Sequence, residues 1–425
     1  MPPRIPPFER LRLQNVRCFR KADIALHPNV TVVVGGNASG KTTLMEALAS
    51  VTHGDGEGLA NFPLRDGAQQ GEIALYQTNK RQAAAKWNSK QETRKRLPSG
   101  RYAFLYGRYR CVSVPESDPE DRGLTDAEYL DELASHAAKS RTTTLTRPDN
   151  RLMNDLAGYL RGLSFGRTSD ARLDTIWLRL NESLAKIDSS LSGIRMDESS
   201  DPPVARVVRN GLALELAHLS DGYQAILAIV LDLMLRYAYL FYEGDPLAGD
   251  VLVGIDEIDL HLHPKWQRTV LPQLTELFPG TQFVVTTHSP IVVQSAIDSG
   301  FAVVRLVEAD GAVTAQPLSA RLAKALRGAE VGSVLFEDHL FGIESRFSVE
   351  YSKIEQRVDE LQAKVSHGEA TEAQYRELKN GLDKLEELVA KEARRRADGS
   401  TMAQMVQMQG EFVKALTDEL EKSRQ

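Results

Sequence analysis

The sequence predicts an α/β fold with an α-helical insertion and a C-terminal helical hairpin. Short apolar runs that suit buried strands, such as Val30–Val34, alternate with apolar residues at helical spacing in two separate regions. Amphipathic helical patterns lie between those regions, among them one over Leu173–Leu191. Two heptad stripes lie in the C-terminal segment, and a glycine, Gly368, separates them.

Length and composition indicate a globular protein with roughly two to three folding units. The chain has 425 residues, of which 42% are hydrophobic and 26% charged, and this balance excludes wholesale disorder. Its net charge of −6 argues against a protein that coats nucleic acid by bulk charge. Cys18 and Cys111 cannot build a disulfide framework, and no stretch reads as a secretion signal or a membrane span. We therefore expect a soluble, cytoplasmic protein.

The first chemical motif is a Gly-rich turn that follows the strand Val30–Val34 and precedes a predicted helix. In this setting it satisfies the phosphate-loop pattern, in which backbone N–H groups surround the phosphates and the helix N-terminus adds its dipole. We predict that Lys41 reaches the β- and γ-phosphates and that the Thr42 hydroxyl binds Mg²⁺. The candidate nucleotide-binding residues of this turn are Gly35, Gly36, Asn37, Ala38, Ser39, Gly40, Lys41, Thr42 and Thr43.

Three later motifs fit the same chemistry. The string Leu219-Ser220-Asp221-Gly222-Tyr223-Gln224, here called the signature string, precedes a long apolar helix. The apolar strand Val251–Ile255 ends in Asp256-Glu257, and Phe283–Thr286 ends in Thr287-His288-Ser289. A carboxylate at a strand end holds the metal in such sites, which suits Asp256. Glu257 is then placed to orient or deprotonate the attacking water, and His288 to hydrogen-bond the γ-phosphate.

Taken in order, these motifs resemble an ABC-type P-loop ATPase head of the RecF/SMC branch. The opening Leu11–Phe19 resembles the first strand and loop of that branch, in which an Asn-Phe-Arg motif contacts nucleotide. Asn15 and Arg17 match this motif, whereas Val16 replaces the aromatic residue. The interval from the phosphate loop to the signature string is longer than in transporter heads and too short for the arm of a true SMC protein.

The resemblance implies ATP and Mg²⁺ as cofactors and a homodimer, or a higher oligomer, built on paired heads. Ser220 and Gly222 would cap the γ-phosphate of ATP bound by the opposite protomer, and hydrolysis would separate the heads. The loop Ile258–Pro264 would cross this interface. A glutamine normally completes the Mg²⁺ shell, and among several candidates Gln77, which follows Gly71–Tyr76, is the best placed.

The segment Gln77–Arg110 is strongly basic, with ten Lys and Arg residues against a single acid, and an acidic stretch follows it. Blocks of opposite charge are typical of solvated loops, so we expect an insertion here rather than a core. Its last part, Leu105–Arg110, resembles a Tyr-Gly-x-x-Arg motif of RecF-like ATPases from defence operons, to which we assign no contact. The aromatic residues of Gln77–Arg110 leave two interpretations open, DNA contact or packing into the head. They are Trp87, Tyr102, Phe104, Tyr106 and Tyr109.

The C-terminal segment predicts an antiparallel helical hairpin, with heptad stripes over Tyr351–Val365 and Tyr375–Val389, and a third helix over Met402–Leu420. The hairpin could pack on its own head, dimerise or dock another protein. Entered through Asp338–Ser345, it resembles the tail of stand-alone ATPases that are paired with nucleases in anti-phage operons. The Septu-type PtuA proteins, paired with an HNH nuclease, are the nearest kind. No nuclease motif occurs within the chain, so a partner would supply any cleavage.

We expect four regions: an N-terminal head lobe (1–112), a mainly helical insertion (113–203), a C-terminal head lobe (204–344) and the hairpin (345–425). Two functions remain open from the sequence. In the first, the chain is the ATP-hydrolysing regulatory subunit of an anti-phage defence complex and gates a partner nuclease or other effector through residues 345–425. In the second, it is a RecF-like DNA repair ATPase that clamps DNA directly through residues 77–110. We expect no contact with a membrane.

Overall fold

The structure, a computed structural model, divides into two compact units, Met1–Phe341 and Gly342–Gln425. It describes residues 7–52, 63–77, 80–88, 91–95, 97, 102–108, 142–143, 160–161, 163–164, 171–200, 203–240, 250–329, 331–335, 340–341, 349–366 and 370–395. The strands are β1 (Arg10–Val16), β2 (Phe19–Ala25), β3 (Val30–Val34), β4 (Gln70–Gln77), β5 (Lys80–Asn88), β6 (Glu92–Lys95), β7 (Tyr102–Tyr106), β8 (Thr142–Thr143), β9 (Leu191–Asp197), β10 (Val204–Arg209), β11 (Leu212–Glu215), β12 (Val251–Ile255), β13 (Gln282–Thr287), β14 (Ala302–Ala309) and β15 (Ala312–Pro317).

The helices of the first unit cover both faces of its main sheet. They are α1 (Lys41–Thr52), α2 (Ala171–Ile187), α3 (Asp221–Leu240), α4 (Pro264–Gln267), α5 (Val270–Leu277), α6 (Pro290–Asp298), α7 (Ala320–Leu326) and α8 (Val331–Leu335), with a 3-10 turn at Leu216–His218. Within the described ranges, no helix combines the length and the apolar character needed to cross a membrane.

Among the described residues, twelve strands form one sheet in the order β6-β5-β4-β1-β2-β15-β14-β3-β13-β12-β7-β8. Its centre is parallel, because β14, β3, β13, β12 and β7 each pair in parallel with their neighbours in this run. The strands from β2 to β6 form antiparallel pairs around β1 and β4. This mixed sheet confirms the predicted α/β fold class, and its parallel centre brings the carboxyl ends of its five strands to one edge.

Each face of the central sheet has its own core, because successive side chains of a strand point to opposite faces. Val33 and Leu105 belong to one buried cluster, which includes Leu44 of α1. Val32 and Tyr106 belong to the other, which includes much of α2 and α3. The helix that follows the phosphate loop and the helix that follows the signature string therefore lie on opposite faces of the same sheet.

The prediction that the basic segment forms an insertion of solvated loops is wrong for its described residues. β5 and β6 extend the sheet beyond β4, and β7 lies beside β12 in the centre. The strand period explains the error, since β5 buries Ala83, Ala85 and Trp87 at every second position, whereas Lys86, between the last two, lies on the other face. Phe104 and Tyr106 are also buried, which favours packing into the head for these aromatic residues.

A second, three-stranded sheet with the order β11-β10-β9 lies between α2 and α3 in the chain. The sequence patterns did not predict this sheet, in which Met196 and Asp197 of β9 pair with Ala205 and Val204 of β10. α2 covers the core side of this sheet, as its predicted apolar stripe requires. Of the insertion predicted over 113–203, the structure describes β8, α2, β9 and a few isolated residues.

The described residues of the second unit include two helices, α9 (Val349–Ser366) and α10 (Glu372–Arg395). They pack against each other through a small cluster of buried residues from the two heptad stripes, namely Val358, Leu361, Leu378, Leu382 and Leu385. Arg357 of α9 forms an ion pair with Glu377 of α10 at 2.8 Å. The third helix predicted over 402–420 lies outside the described residues.

Candidate functional site

The candidate site lies where the parallel strands end. Val34, the last residue of β3, is paired with Thr287 at the end of β13. Ile255, the last residue of β12, is paired with Val285 of β13 and with Tyr106 of β7. The segments that leave these strands therefore start side by side at one edge of the sheet, and they carry the phosphate loop, His288 and Asp256.

Lys41 begins α1 and is buried with its ammonium group turned toward the phosphate loop. Its Nζ donates to the carbonyl oxygens of Gly35, at 2.9 Å, and Gly36, at 2.8 Å. Burial lowers the pKa of Lys41, and the carboxylates after β12, Asp256 foremost, oppose this shift. The loop thus holds a desolvated cation at the helix N-terminus, where an anionic phosphate is favoured.

Two residues of the loop adopt left-handed backbone angles. Gly40 has a φ of 90°, and a Cβ placed on it would lie 2.7 Å from the Sγ of Cys18. Glycine is therefore required here both for its backbone angle and for the space, because the loop packs closely on the turn between β1 and β2. Ala38, with a φ of 60°, is a non-glycine residue in the same strained region.

Thr42 and Asp256 form the candidate metal site. The Oγ1 of Thr42 donates to Oδ2 of Asp256 at 2.9 Å, and Thr286 donates to the other carboxylate oxygen at 2.6 Å. Mg²⁺ prefers oxygen ligands, and adjacent ligands of an octahedron with bonds of about 2.05 Å lie about 2.9 Å apart. The hydroxyl of Thr42 and the carboxylate of Asp256 therefore fit a Mg²⁺ ion in both chemistry and spacing.

Glu257 directly follows this carboxylate and is held by its backbone. It has a φ of 50°, and its N–H donates to Oγ1 of Thr286 at 2.7 Å. Left-handed angles at non-glycine residues are costly and occur often at functional sites. Thr286 thus fixes both Asp256 and Glu257. Thr286 was not among the predicted site residues, although a polar residue directly after the apolar run Phe283–Val285 of β13 was a usable signal.

The loop after Glu257 is tied to the end of β13. Asp259 accepts hydrogen bonds from Oγ1 of Thr287 at 2.5 Å and from the backbone N–H of His288 at 3.3 Å. His288 itself is exposed. Its side chain lies at the sheet edge from which the phosphate loop also emerges.

The signature string meets the same loop from the other side. Ser220 is exposed at the N-terminus of α3, and Gly222 packs so closely on the carbonyl oxygen of His261 that no Cβ would fit. Tyr223 donates to Oδ2 of Asp188 at 2.5 Å, and its ring lies 4.2 Å from the ring of Trp266. The string is therefore anchored on both sides, by residues 261–266 and by the residue that follows α2.

Asn15 lies near the end of β1 and Arg17 in the turn that follows it, as expected for an element near the phosphate loop. Both have left-handed backbone angles, with φ values of 54° and 45°. Arg17 forms an ion pair with Glu46 of α1, and the Asn15 side chain donates to the carbonyl oxygen of Gln70 at 3.0 Å. Glu46 lies one helical turn after Thr42 on α1, so this ion pair holds Arg17 near the start of the helix.

Gln77 does not lie at the candidate metal site, so the prediction that it completes the Mg²⁺ shell is wrong. β4 runs antiparallel to β1, so Gln70 lies near Asn15 whereas Gln77 lies beyond the pair of Tyr76 and Arg10. The opposite ends of a strand of this length are about 20 Å apart. Gln77 is the last residue of β4, at the end directed away from the phosphate loop, which no spacing rule in the sequence could show.

The sequence of the chain is similar to those of several known proteins. A retron Vc95 probable ATPase from Vibrio cholerae serotype O1 biovar El Tor is 37% identical over 114 residues, which are 27% of this chain and 22% of that protein. The Septu protein PtuA of Bacillus mycoides (strain KBAB4) is 32% identical over 171 residues, 40% of this chain and 22% of that protein. The DNA replication and repair protein RecF of Arthrobacter sp. (strain FB24) is 25% identical over 232 residues, 51% and 54% of the two chains.

The chain thus spans about a fifth of the length of the retron and Septu relatives that it matches. The expected likeness to RecF and to the Septu PtuA proteins is confirmed by these relatives. Residues 30–294, more than half of the chain, match the family described as "AAA domain, putative AbiEii toxin, Type IV TA system". The phosphate loop, the strand ends and the signature string all lie in this range, and the chain belongs to that AAA-domain ATPase family.

Proposed function

We propose that the chain is a Mg²⁺-dependent ATPase that serves as the regulatory subunit of a cytoplasmic anti-phage defence complex. The geometry of Lys41, Thr42 and Asp256 is the observation that best supports ATP hydrolysis. A buried cation lies in the phosphate loop, and two oxygens have the spacing of adjacent Mg²⁺ ligands. Membership of the AAA-domain family supports the same activity.

In this proposal the loop N–H groups and Lys41 bind the β- and γ-phosphates, while Thr42 and Asp256 hold Mg²⁺. When bound, Mg²⁺ supplies positive charge that offsets the charge developing on the phosphoryl oxygens. Glu257 orients the attacking water and accepts its proton. His288, at the same edge, hydrogen-bonds the γ-phosphate.

We further propose that ATP joins two copies of the chain. Ser220 is exposed at the start of α3, so the helix dipole and its first N–H groups are available to a phosphate brought by another molecule. Gly222 and His261 hold the signature string against the loop that follows Glu257. A change at the hydrolytic residues can therefore reach the surface that the partner protomer contacts.

Substituting Gly222 with alanine tests this arrangement. Because the new Cβ would clash with the backbone carbonyl of His261, either the signature string or the loop must shift. We expect ATP affinity of the monomeric chain to change less than about twofold and kcat to fall at least about tenfold. Fluorescent-nucleotide binding and steady-state phosphate release measure the two quantities. Turnover at the wild-type rate would remove Gly222 from the proposed site.

The regulatory role is supported by the second unit and by the relatives. α9 and α10 form their own cluster and present charged residues such as Arg357 and Glu377 at their surface. Because the relatives include a retron ATPase and a Septu protein, we favour the hypothesis that residues 345–425 bind an effector partner. In our proposal the ATP state of the heads gates that effector, with an HNH-type nuclease as the first candidate.

An affinity pull-down of the tagged Glu257→Gln chain from its host, with ATP and Mg²⁺ present, tests this role. A nuclease recovered in stoichiometric amount, and lost on deleting residues 346–425, is the expected result. The truncated chain should still bind ATP, which controls for folding of the first unit. Recovery of DNA without a nuclease would contradict the regulatory role.

A DNA clamp is the second candidate, because the RecF alignment extends over 51% of the chain. Lys80 and Lys95 are exposed on β5 and β6, at one edge of the main sheet. If this candidate is correct, DNA recovered in the pull-down will be lost in the double variant Lys80→Glu/Lys95→Glu. Such charge reversals weaken contacts with the phosphate backbone without touching the ATP site.

A further inference from the structure

A buried polar network links the edge of the sheet to α3, and the proposed reaction makes no direct use of it. The hydroxyl of Tyr106, the last residue of β7, donates to Oδ2 of Asp232 at 2.5 Å. The Nε of Arg236 donates to the same oxygen at 2.7 Å. All three residues are buried, with exposed fractions of 0%, 5% and 2% respectively.

The backbone of Tyr106 also adjoins the candidate metal ligand. The N–H of Asp256 donates to the carbonyl oxygen of Tyr106 at 2.8 Å, because β7 and β12 run in parallel register. Phe104, two residues earlier on the same face of β7, has the guanidinium of Arg236 at 4.7 Å from its ring centre. Tyr106 thus contacts Asp256 through its backbone and α3 through its side chain.

Stability alone is a poor explanation for this network. Its neighbours on α3, such as Leu231, Leu233 and Met234, are buried and apolar, and a buried ion pair is often no more stabilising than well-packed apolar residues. An apolar helix face tolerates small shifts along a sheet, whereas hydrogen bonds depend on distance and angle. Burial, reinforced by Asp232, raises the pKa of Tyr106 well above its usual value, so its hydroxyl keeps the proton that it donates.

We propose that Tyr106 is a positioning residue that fixes the axial position of α3 relative to Asp256. α3 begins at Asp221, and Asp232 lies about 16 Å further along the helix axis. A rigid helix carries any shift at Asp232 to Ser220 and Gly222. The inference rests on the proposed ATPase and deepens it, since the network ties the metal carboxylate to the residues offered to the partner protomer.

The test compares Tyr106→Phe with a matched variant, Tyr237→Phe. Tyr237 is also fully buried, lies on α3, and shares a hydrogen bond with Thr281, which precedes β13 at its end away from the site. Each variant removes one buried hydroxyl. We expect Tyr106→Phe to lower kcat about tenfold with KM for ATP within about twofold, and Tyr237→Phe to leave both near wild type. Thermal unfolding should shift by similar amounts in the two variants.

Asp232→Asn provides a second variant that keeps an acceptor oxygen for Tyr106. It should lower kcat less than Tyr106→Phe, and adding Tyr106→Phe to it should cost less than in the wild-type background, because the two residues act as a pair. Equal kcat losses in Tyr106→Phe and Tyr237→Phe, or no loss in either, would overturn the positioning role alone. If the wild-type chain released no more phosphate than Lys41→Ala, the proposed ATPase would fail and this inference with it.

Discussion

Replacing Lys41 with alanine is expected to weaken ATP binding about 100-fold or more and to abolish turnover. The buried Nζ of Lys41 is held 2.8–2.9 Å from two loop carbonyls, and in our proposal it reaches the phosphates of the nucleotide from there. A hydrogen bond to a charged group contributes about 1.5–3 kcal/mol, and each 1.4 kcal/mol changes affinity about tenfold. Because one ammonium contacts two phosphates, the losses combine. Titration of a fluorescent ATP analogue measures the affinity directly.

Lys324→Ala is the control for this substitution, since Lys324 is an exposed lysine on α7. ATP should raise the unfolding temperature of the wild type and of Lys324→Ala, because a ligand that binds only the folded chain stabilises it. It should leave the unfolding temperature of Lys41→Ala unchanged. Similar ATP-dependent shifts in Lys41→Ala and the wild type would show that the nucleotide binds elsewhere.

Replacing Glu257 with glutamine is expected to retain ATP binding and to lower kcat by about 10²–10⁴-fold, the usual contribution of a general base. Glutamine keeps the shape of the side chain but cannot accept the proton of the attacking water. The backbone of residue 257 should stay in place, because its N–H is bound to Thr286. Single-turnover phosphate release measures the rate. Light scattering with ATP and Mg²⁺ should show a dimer that accumulates only in this variant.

Glu276→Gln is the matched control, because Glu276 is an exposed carboxylate on α5 that pairs with Lys186 away from the site. It should hydrolyse ATP at the wild-type rate and show no lasting dimer. Hydrolysis by Glu257→Gln at the wild-type rate would mean that another group activates the water. Loss of ATP binding in Glu257→Gln would instead point to a role in holding nucleotide.

The sequence predicted the strands that carry the motifs accurately, for a physical reason. Val30–Val34 and Val251–Ile255 are buried on both faces of a parallel sheet, so they read as nearly continuous apolar runs, which stop at Gly35 and at Asp256. The fixed order of glycines, lysine and threonine then located the phosphate loop, because phosphate binding constrains both backbone and side chains. Thr42 and Asp256 were therefore assigned to one metal site before any contact was known.

The basic segment was misread because net charge says little about a strand with one buried face. In β5, Ala83, Ala85 and Trp87 join the core, whereas Lys86, between the last two, lies on the opposite face and pairs with Glu72. Gln77 was misplaced because its position depends on the direction of β4 in the sheet, which is set by pairing with β1. The bond between Tyr106 and Asp232 joins residues 126 positions apart, and no local pattern marks it.

The small common core of α9 and α10 affects how the second unit can bind a partner. α9 and α10 are 18 and 24 residues long, yet the described part of their common core consists of five buried side chains. Because helices gain most of their stability from such packing, we expect their amide hydrogens to exchange with solvent faster than those of the central sheet. A protein that binds both helices would then gain part of its specificity by ordering the hairpin, at a cost in affinity.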